Sequence, residues 1–190
     1  MVLVNNNWPS GFRPLMVDTA GAPVGTRTYA KPASDANAIF TYDLVRKVAT
    51  SQVVQGNLIG FPGCQTFATG TPGTTLILGS ALNYGAASFI TLHAIVDDLN
   101  ALFVAQCDGT TAITVATMAG KNANVNNAAQ TNANYSISAM QVSTASIATT
   151  AGLDVRIADL FRLTTNYEAA NAAVEIQILK HAYAQGSAGV

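Results

Sequence analysis

Charge is scarce in this sequence. Only 10% of its residues are Asp, Glu, Lys or Arg, against about 25% in an ordinary soluble domain, so its surface must be built from Ser, Thr, Asn, Gln, Ala and Gly. Free proteins use like-charge repulsion to stay apart in solution, and a chain with so little of it suits a life packed against neighbours. Neither sign dominates. Nine basic residues face ten acidic ones, which leaves no electrostatic footprint for a phosphate backbone or an anionic lipid surface. Nucleic acid and membrane are not expected partners.

Long apolar runs are missing too. A transmembrane helix needs about 20 mostly apolar residues in succession, and the best candidates, Ala86 to Val96 and Leu99 to Ala105, are short and interrupted. The opening Met1-Val2-Leu3-Val4-Asn5-Asn6-Asn7 has no basic start and no long apolar core, so it does not read as a signal peptide. The expectation is a protein made and used without crossing a membrane. Cysteine is scarce: Cys64 and Cys107 could pair once, but without a secretory route they are expected to be free, buried thiols. Neither His93 nor His181 falls at zinc-ligand spacing from them, so no metal and no cofactor is expected.

The parts of a catalytic centre are equally sparse. Asp97-Asp98 is the only adjacent acidic pair, and neighbours in an extended strand point to opposite faces, so the pair reads as a corner of the chain. His93 and His181 lie in apolar strand-like runs with no nucleophile elbow beside them; both read as structural. Gly120-Lys121 resembles the end of a phosphate-binding loop, but Val115 stands where the first glycine belongs and Asn122 replaces the Ser or Thr. The chain is not expected to be an enzyme.

What the sequence does hold is apolar residues in strand patterns. Hydrophobic residues make up 49% of 190, and a chain of this length buries roughly two-thirds of its unfolded surface. Residues 1–33 carry Pro9, Pro14, Pro23 and Pro32 with Gly11, Gly21 and Gly25; proline removes backbone donors and glycine adds freedom, so an extended N-terminal arm with at most short edge strands is expected. Trp8, Phe12, Arg13 and Pro14 are its candidate partner-binding residues, since aromatics and arginine anchor interfaces; the other reading tucks them into their own domain. Residues 34–190 are read as a β-domain. Ile39 to Val45, Gln52 to Ile59, Ser88 to Val96, Leu102 to Cys107, Thr114 to Met118, Tyr135 to Val142 and Ala151 to Leu163 read as strands. The run Ala173 to His181 reads as another, with Val174, Ile176 and Ile178 on one buried face. The Asn-rich stretch Asn122 to Asn134 is expected to be a surface loop. Many short strands between turns make the expected fold mainly β, a sandwich or barrel of short antiparallel strands.

The order of several short motifs resembles a known family. Asn5 to Pro14 contains Gly-Phe-Arg-Pro, and Asp35-Ala36-Asn37-Ala38-Ile39-Phe40 follows with Asp43. Ala94 to Asp98 precedes Phe103-Val104-Ala105-Gln106, then come Gly120-Lys121-Asn122-Ala123 and Val155-Arg156-Ile157-Ala158-Asp159-Leu160. The series is similar to that of the head cement, or decoration, proteins of tailed bacteriophages and spans nearly the whole chain. It departs at Leu179-Lys180-His181, where Asn-Asn-His is usual, and in the Gly/Thr-rich segment Thr66 to Gly85. The resemblance implies a virion protein on the outer surface of the capsid, bridging major capsid protein subunits. It also implies self-association, a trimer by preference, though dimers occur in such proteins. Two other readings compete: a receptor- or carbohydrate-binding β-module of a phage tail or fibre, and a small hydrolase on a β-scaffold.

Overall fold

A computed structural model describes residues 5–53, 60–128 and 136–184. The fold is mainly β, with antiparallel sheets and a small barrel. The sheet has five antiparallel strands: β1 (Arg13–Asp18), β7 (Ala101–Gln106), β12 (Ala173–Ile178), β11 (Val155–Leu160) and β8 (Asn122–Ala123), in that order across it. The barrel closes through β2 (Arg27–Lys31), β4 (Gly60–Thr66), β3 (Leu44–Val53), β5 (Gly79–Ala81) and β6 (Thr91–Val96). A two-stranded pair, β9 (Val125–Asn126) with β10 (Gln141–Val142), sits beside them.

Strand alternation explains how the two parts pack. In a strand, successive side chains point to opposite faces. Val45, Leu78 and Ile95 belong to the small core inside the barrel with Tyr29, Ile39 and Cys64. Their chain neighbours Leu44, Ile77 and Val96 belong to the larger core, where they meet Phe103, Val174 and Ile176 of the sheet. These barrel strands are buried on both sides, which is why the sequence pairs apolar residues there instead of alternating apolar with polar. Strand β12 has one buried face, as its alternation predicts: Val174, Ile176 and Ile178 are buried and Glu175 and Gln177 are not.

The extended arm expected over residues 1–33 is corrected. Strand β1 pairs with β7. Strand β2 lies within the barrel, antiparallel to β6 from Arg27↔Ile95 to Lys31↔Thr91, and Phe12 is fully buried in the larger core. No boundary falls at residue 33, because Phe12, Val24 and Tyr29 supply core volume that outweighs the local preference of Pro and Gly for extended chain. Among the described residues, the segment from Asn5 to Phe12 runs without regular structure ahead of β1.

Other expectations shift with identifiable causes. Thr114 to Met118 is not a strand but caps and forms one helical turn, α1 (Val115–Met118): Thr114 and Thr117 make a reciprocal capping box, which outweighs their β-branched preference. The strand expected at Ile39 to Val45 starts only at Leu44, and of the one expected at Ser88 to Val96 only Thr91 onward is regular, leaving Phe89 exposed. In the Asn-rich stretch, residues 122–128 are built into the fold, with Ala123 and Val125 in the core. Asp154 accounts for this, accepting from Gly73 N at 2.7 Å and Val125 N at 2.9 Å. The rest of that stretch, and most of the Gln52 to Ile59 reading, lie outside the described residues.

Candidate interaction surface

Between the core and Asn5 the chain crosses the outward face of the sheet as a strap. Its inner end is fixed at Gly11 and Phe12. Gly11 has φ +66°, and a Cβ there would lie 2.4 Å from Tyr42 O and 2.6 Å from Ser138 Cβ, so only glycine fits. Phe12 N donates to Tyr42 O at 2.9 Å, and Ser80 Oγ donates to Phe12 O at 2.7 Å. The outer end is held by side-chain amides. Asn5 Nδ2 donates to Tyr167 O at 2.9 Å and to Ala170 O at 3.1 Å, and Asn5 Oδ1 accepts from Tyr167 N at 3.0 Å.

The middle of the strap rests on Gln106, which projects from β7 on the face opposite the core residues Phe103 and Ala105. Its paired neighbour on β12 is Ala173, small enough to leave the amide room. Gln106 Nε2 donates to Asn6 O at 2.7 Å, and Gln106 Oε1 accepts from Trp8 N at 3.0 Å. Held there, the Trp8 side chain is 74% exposed. It lines a shallow cleft of about 520 Å³ with Arg13, Val104, Leu163 and Tyr167. Leu163 is 53% exposed. Among the described residues lining this cleft, Arg13 is the one charged side chain.

The four partner-binding candidates therefore divide. Trp8 and Arg13 share one exposed face, and Pro14 is half-buried at the start of β1. Phe12 is corrected out of the set, since a fully buried ring cannot touch a partner. Sequence reasoning missed Asn5, Gln106, Leu163 and Tyr167. The run Asn5-Asn6-Asn7 was the available signal, because amide side chains are suited to bonding backbone groups in a chain with no ladder of its own.

A second hollow, about 370 Å³, opens at the corner between β6 and β7, beside Arg27, Asp97, Asp98 and Tyr183. Asp97 is buried and structural: Tyr29 Oη donates to its Oδ2 at 2.5 Å, and Arg27 Nη1 lies 3.5 Å from the same oxygen. Asp98 turns the chain, with its Oδ1 accepting from Asn100 N at 2.8 Å. The Tyr183 ring lies under two cations, Lys47 Nζ at 5.1 Å and Arg27 Cζ at 5.7 Å from its centroid.

Both histidines are fully buried. His93 Nδ1 donates to Asn83 O at 3.1 Å, which leaves Nε2 as the partner of Thr91 Oγ1 at 2.8 Å. His181 Nδ1 accepts from Tyr183 N at 3.1 Å. Burial holds both imidazoles below their ordinary value. Cys64 and Cys107 are buried and unpaired, and burial pushes each thiol up to about 12, far from the thiolate form that reacts. Among the described residues no three His, Cys, Asp or Glu side chains gather where they could hold a metal ion, and no helix is long and apolar enough to cross a membrane. Compared with known proteins, the chain matches no family model, no curated protein and no solved structure.

Proposed function

We propose that this chain is a capsid cement protein that binds the outer surface of a phage head through its strap face and bridges major capsid protein subunits. The observation that carries the reading is the exposure of Trp8 and Leu163 together on one nearly uncharged face, at 74% and 53%. A large aromatic held out beside an aliphatic, an arginine and a rim of amides has the make-up of an interface centre. The motif order along the chain supplies the kind of partner, and the low charge of the whole surface suits a molecule packed into a shell. Association with copies of itself, a trimer by preference, belongs to the same proposal, as does a role without catalysis.

The test is co-sedimentation with undecorated shells. The full chain is expected to pellet with expanded heads and to raise their heat resistance, because a ligand that binds only the assembled state stabilises it by mass action. Failure to bind any head would reject the reading. The hollow beside Tyr183, with Arg27 and Asp98 at its edge, favours the second reading, a receptor- or carbohydrate-binding module of a tail or fibre. Glycan binding abolished by Tyr183→Ala, with no head binding, would select it.

A further inference from the structure

Gln106 does for the strap what a neighbouring strand would do. Its amide donates to the carbonyl of Asn6 and accepts the N–H of Trp8. That is the pattern by which one residue of a parallel ladder serves the two residues flanking its partner. The remaining capacity of the amide is also used: Nε2 donates to Asn171 O at 3.0 Å, and Oε1 accepts from Gln141 Nε2 at 3.3 Å. Two donors and two acceptors are all that a glutamine amide offers. Turning the amide over would set its oxygen against two carbonyls and its NH2 against the Trp8 N–H, so the orientation is fixed. Asn7, at the centre of the bridged unit, takes Gln141 Nε2 on its Oδ1 at 3.3 Å. The bonds that hold Asn5 to Trp8 thus run through amide side chains, those of Asn5, Asn7, Gln106, Gln141 and Asn171.

This bridge sets the register of the strap, and register decides where Trp8 stands. A slip of one residue would remove the Trp8 N–H from its acceptor and turn the indole away from Leu163. We propose that Gln106 is a positioning residue for partner binding: it holds the strap in its binding-competent register before the partner arrives. The proposal rests on the strap face being the capsid-binding surface. When only part of a population is competent, apparent affinity falls by that fraction. Releasing the strap therefore weakens binding with the Trp8 and Leu163 side chains still present.

The test measures amide hydrogen exchange in the free protein together with shell binding, for the natural chain, Gln106→Ala and Gln106→Met. Methionine keeps the volume of the side chain and loses its hydrogen bonds. In both variants the Trp8 amide is expected to exchange at least tenfold faster. The Phe12 amide, which bonds to Tyr42 O, should be unchanged and so certifies that the body is folded. Affinity for undecorated shells should fall at least tenfold in both. Unchanged Trp8 exchange in either variant, or a released strap with unchanged affinity, would overturn the proposal. If the natural chain binds no shell, the capsid reading fails and the positioning role with it; the exchange rates would still decide the register clamp.

Discussion

Thr66 donates its hydroxyl to Oδ2 of Asp43 across 3.1 Å, tying the end of β4 to the residue just before β3. The same oxygen accepts from Phe40 N at 3.0 Å. Even with these bonds, burial dominates: the Asp43 carboxyl is 3% exposed and its pKa is pushed up to about 6. The hydrogen bonds from Ser138, Phe40 and Thr66 offset only part of that rise.

The sign of the resulting pH dependence is set by that rise. A carboxyl whose folded value lies above its unfolded value of 3.8 favours the folded state most at low pH, and this contribution is lost as pH rises through about 6. The shift corresponds to about 3 kcal/mol. Asp43→Asn is expected to be more stable than the natural chain at pH 7 by up to that amount and no more stable at pH 4. Denaturant melts of both proteins from pH 4 to pH 8 check it; a constant difference across that range would count against a raised carboxyl.

The buried histidines act in the opposite direction. Each is depressed from 6.5 by burial, so its contribution is present above that value and lost as pH falls. Asp43→Asn, which removes the opposing carboxyl, should therefore lose stability on acidification more steeply than the natural chain does. His93→Ala and His181→Ala should each cost roughly 1–3 kcal/mol and leave shell binding intact. Loss of binding by a folded variant would give these residues a role beyond structure.

Phe12 and Trp8 separate folding from binding within five residues of chain. Phe12→Ala removes a fully buried ring and should cost about 3–5 kcal/mol. Trp8→Ala should cost less than about 0.5 kcal/mol, yet weaken shell binding at least tenfold, about 1.4 kcal/mol. Thermal melts and co-sedimentation of the two variants make the comparison. A deletion of the first 14 residues would confuse the two effects, since it takes Phe12 and the start of β1 with it.

The course of the chain was legible where a strand has one apolar face. Val174, Ile176 and Ile178 announced β12, and Leu102 to Cys107 announced β7. It was illegible where tertiary contacts decide. Nothing local marks Arg27–Lys31 as a barrel strand, because its pairing with β6 supplies the ladder. The Thr114–Thr117 capping box was not legible either, because a threonine stands at the position where Glu or Gln marks such a box in a sequence. Phe12 looked like a free anchor because the glycines and prolines around it describe the backbone, not where the ring goes. The strap face could not be assembled from the sequence: Trp8 meets Gln106 across 98 positions, and Asn5 meets Tyr167 across 162. Spacing rules reach a few residues and these contacts do not repeat.

Salt should matter little to binding. The cleft beside Trp8 contains Arg13 as its one charged side chain among the described residues, so few counterions or screened pairs are involved. Affinity measured between low and moderately high salt should change by less than about threefold; a steep fall would point to a charged interface elsewhere on the molecule.

Cryo-electron microscopy of the particle that carries this chain tests the central claim most directly. The account predicts density for the barrel and sheet on the outside of the head, spanning adjacent major capsid protein subunits, with Trp8 and Leu163 turned toward the shell. Density on the tail or a fibre, or on the head with the strap face turned to solvent, would contradict it.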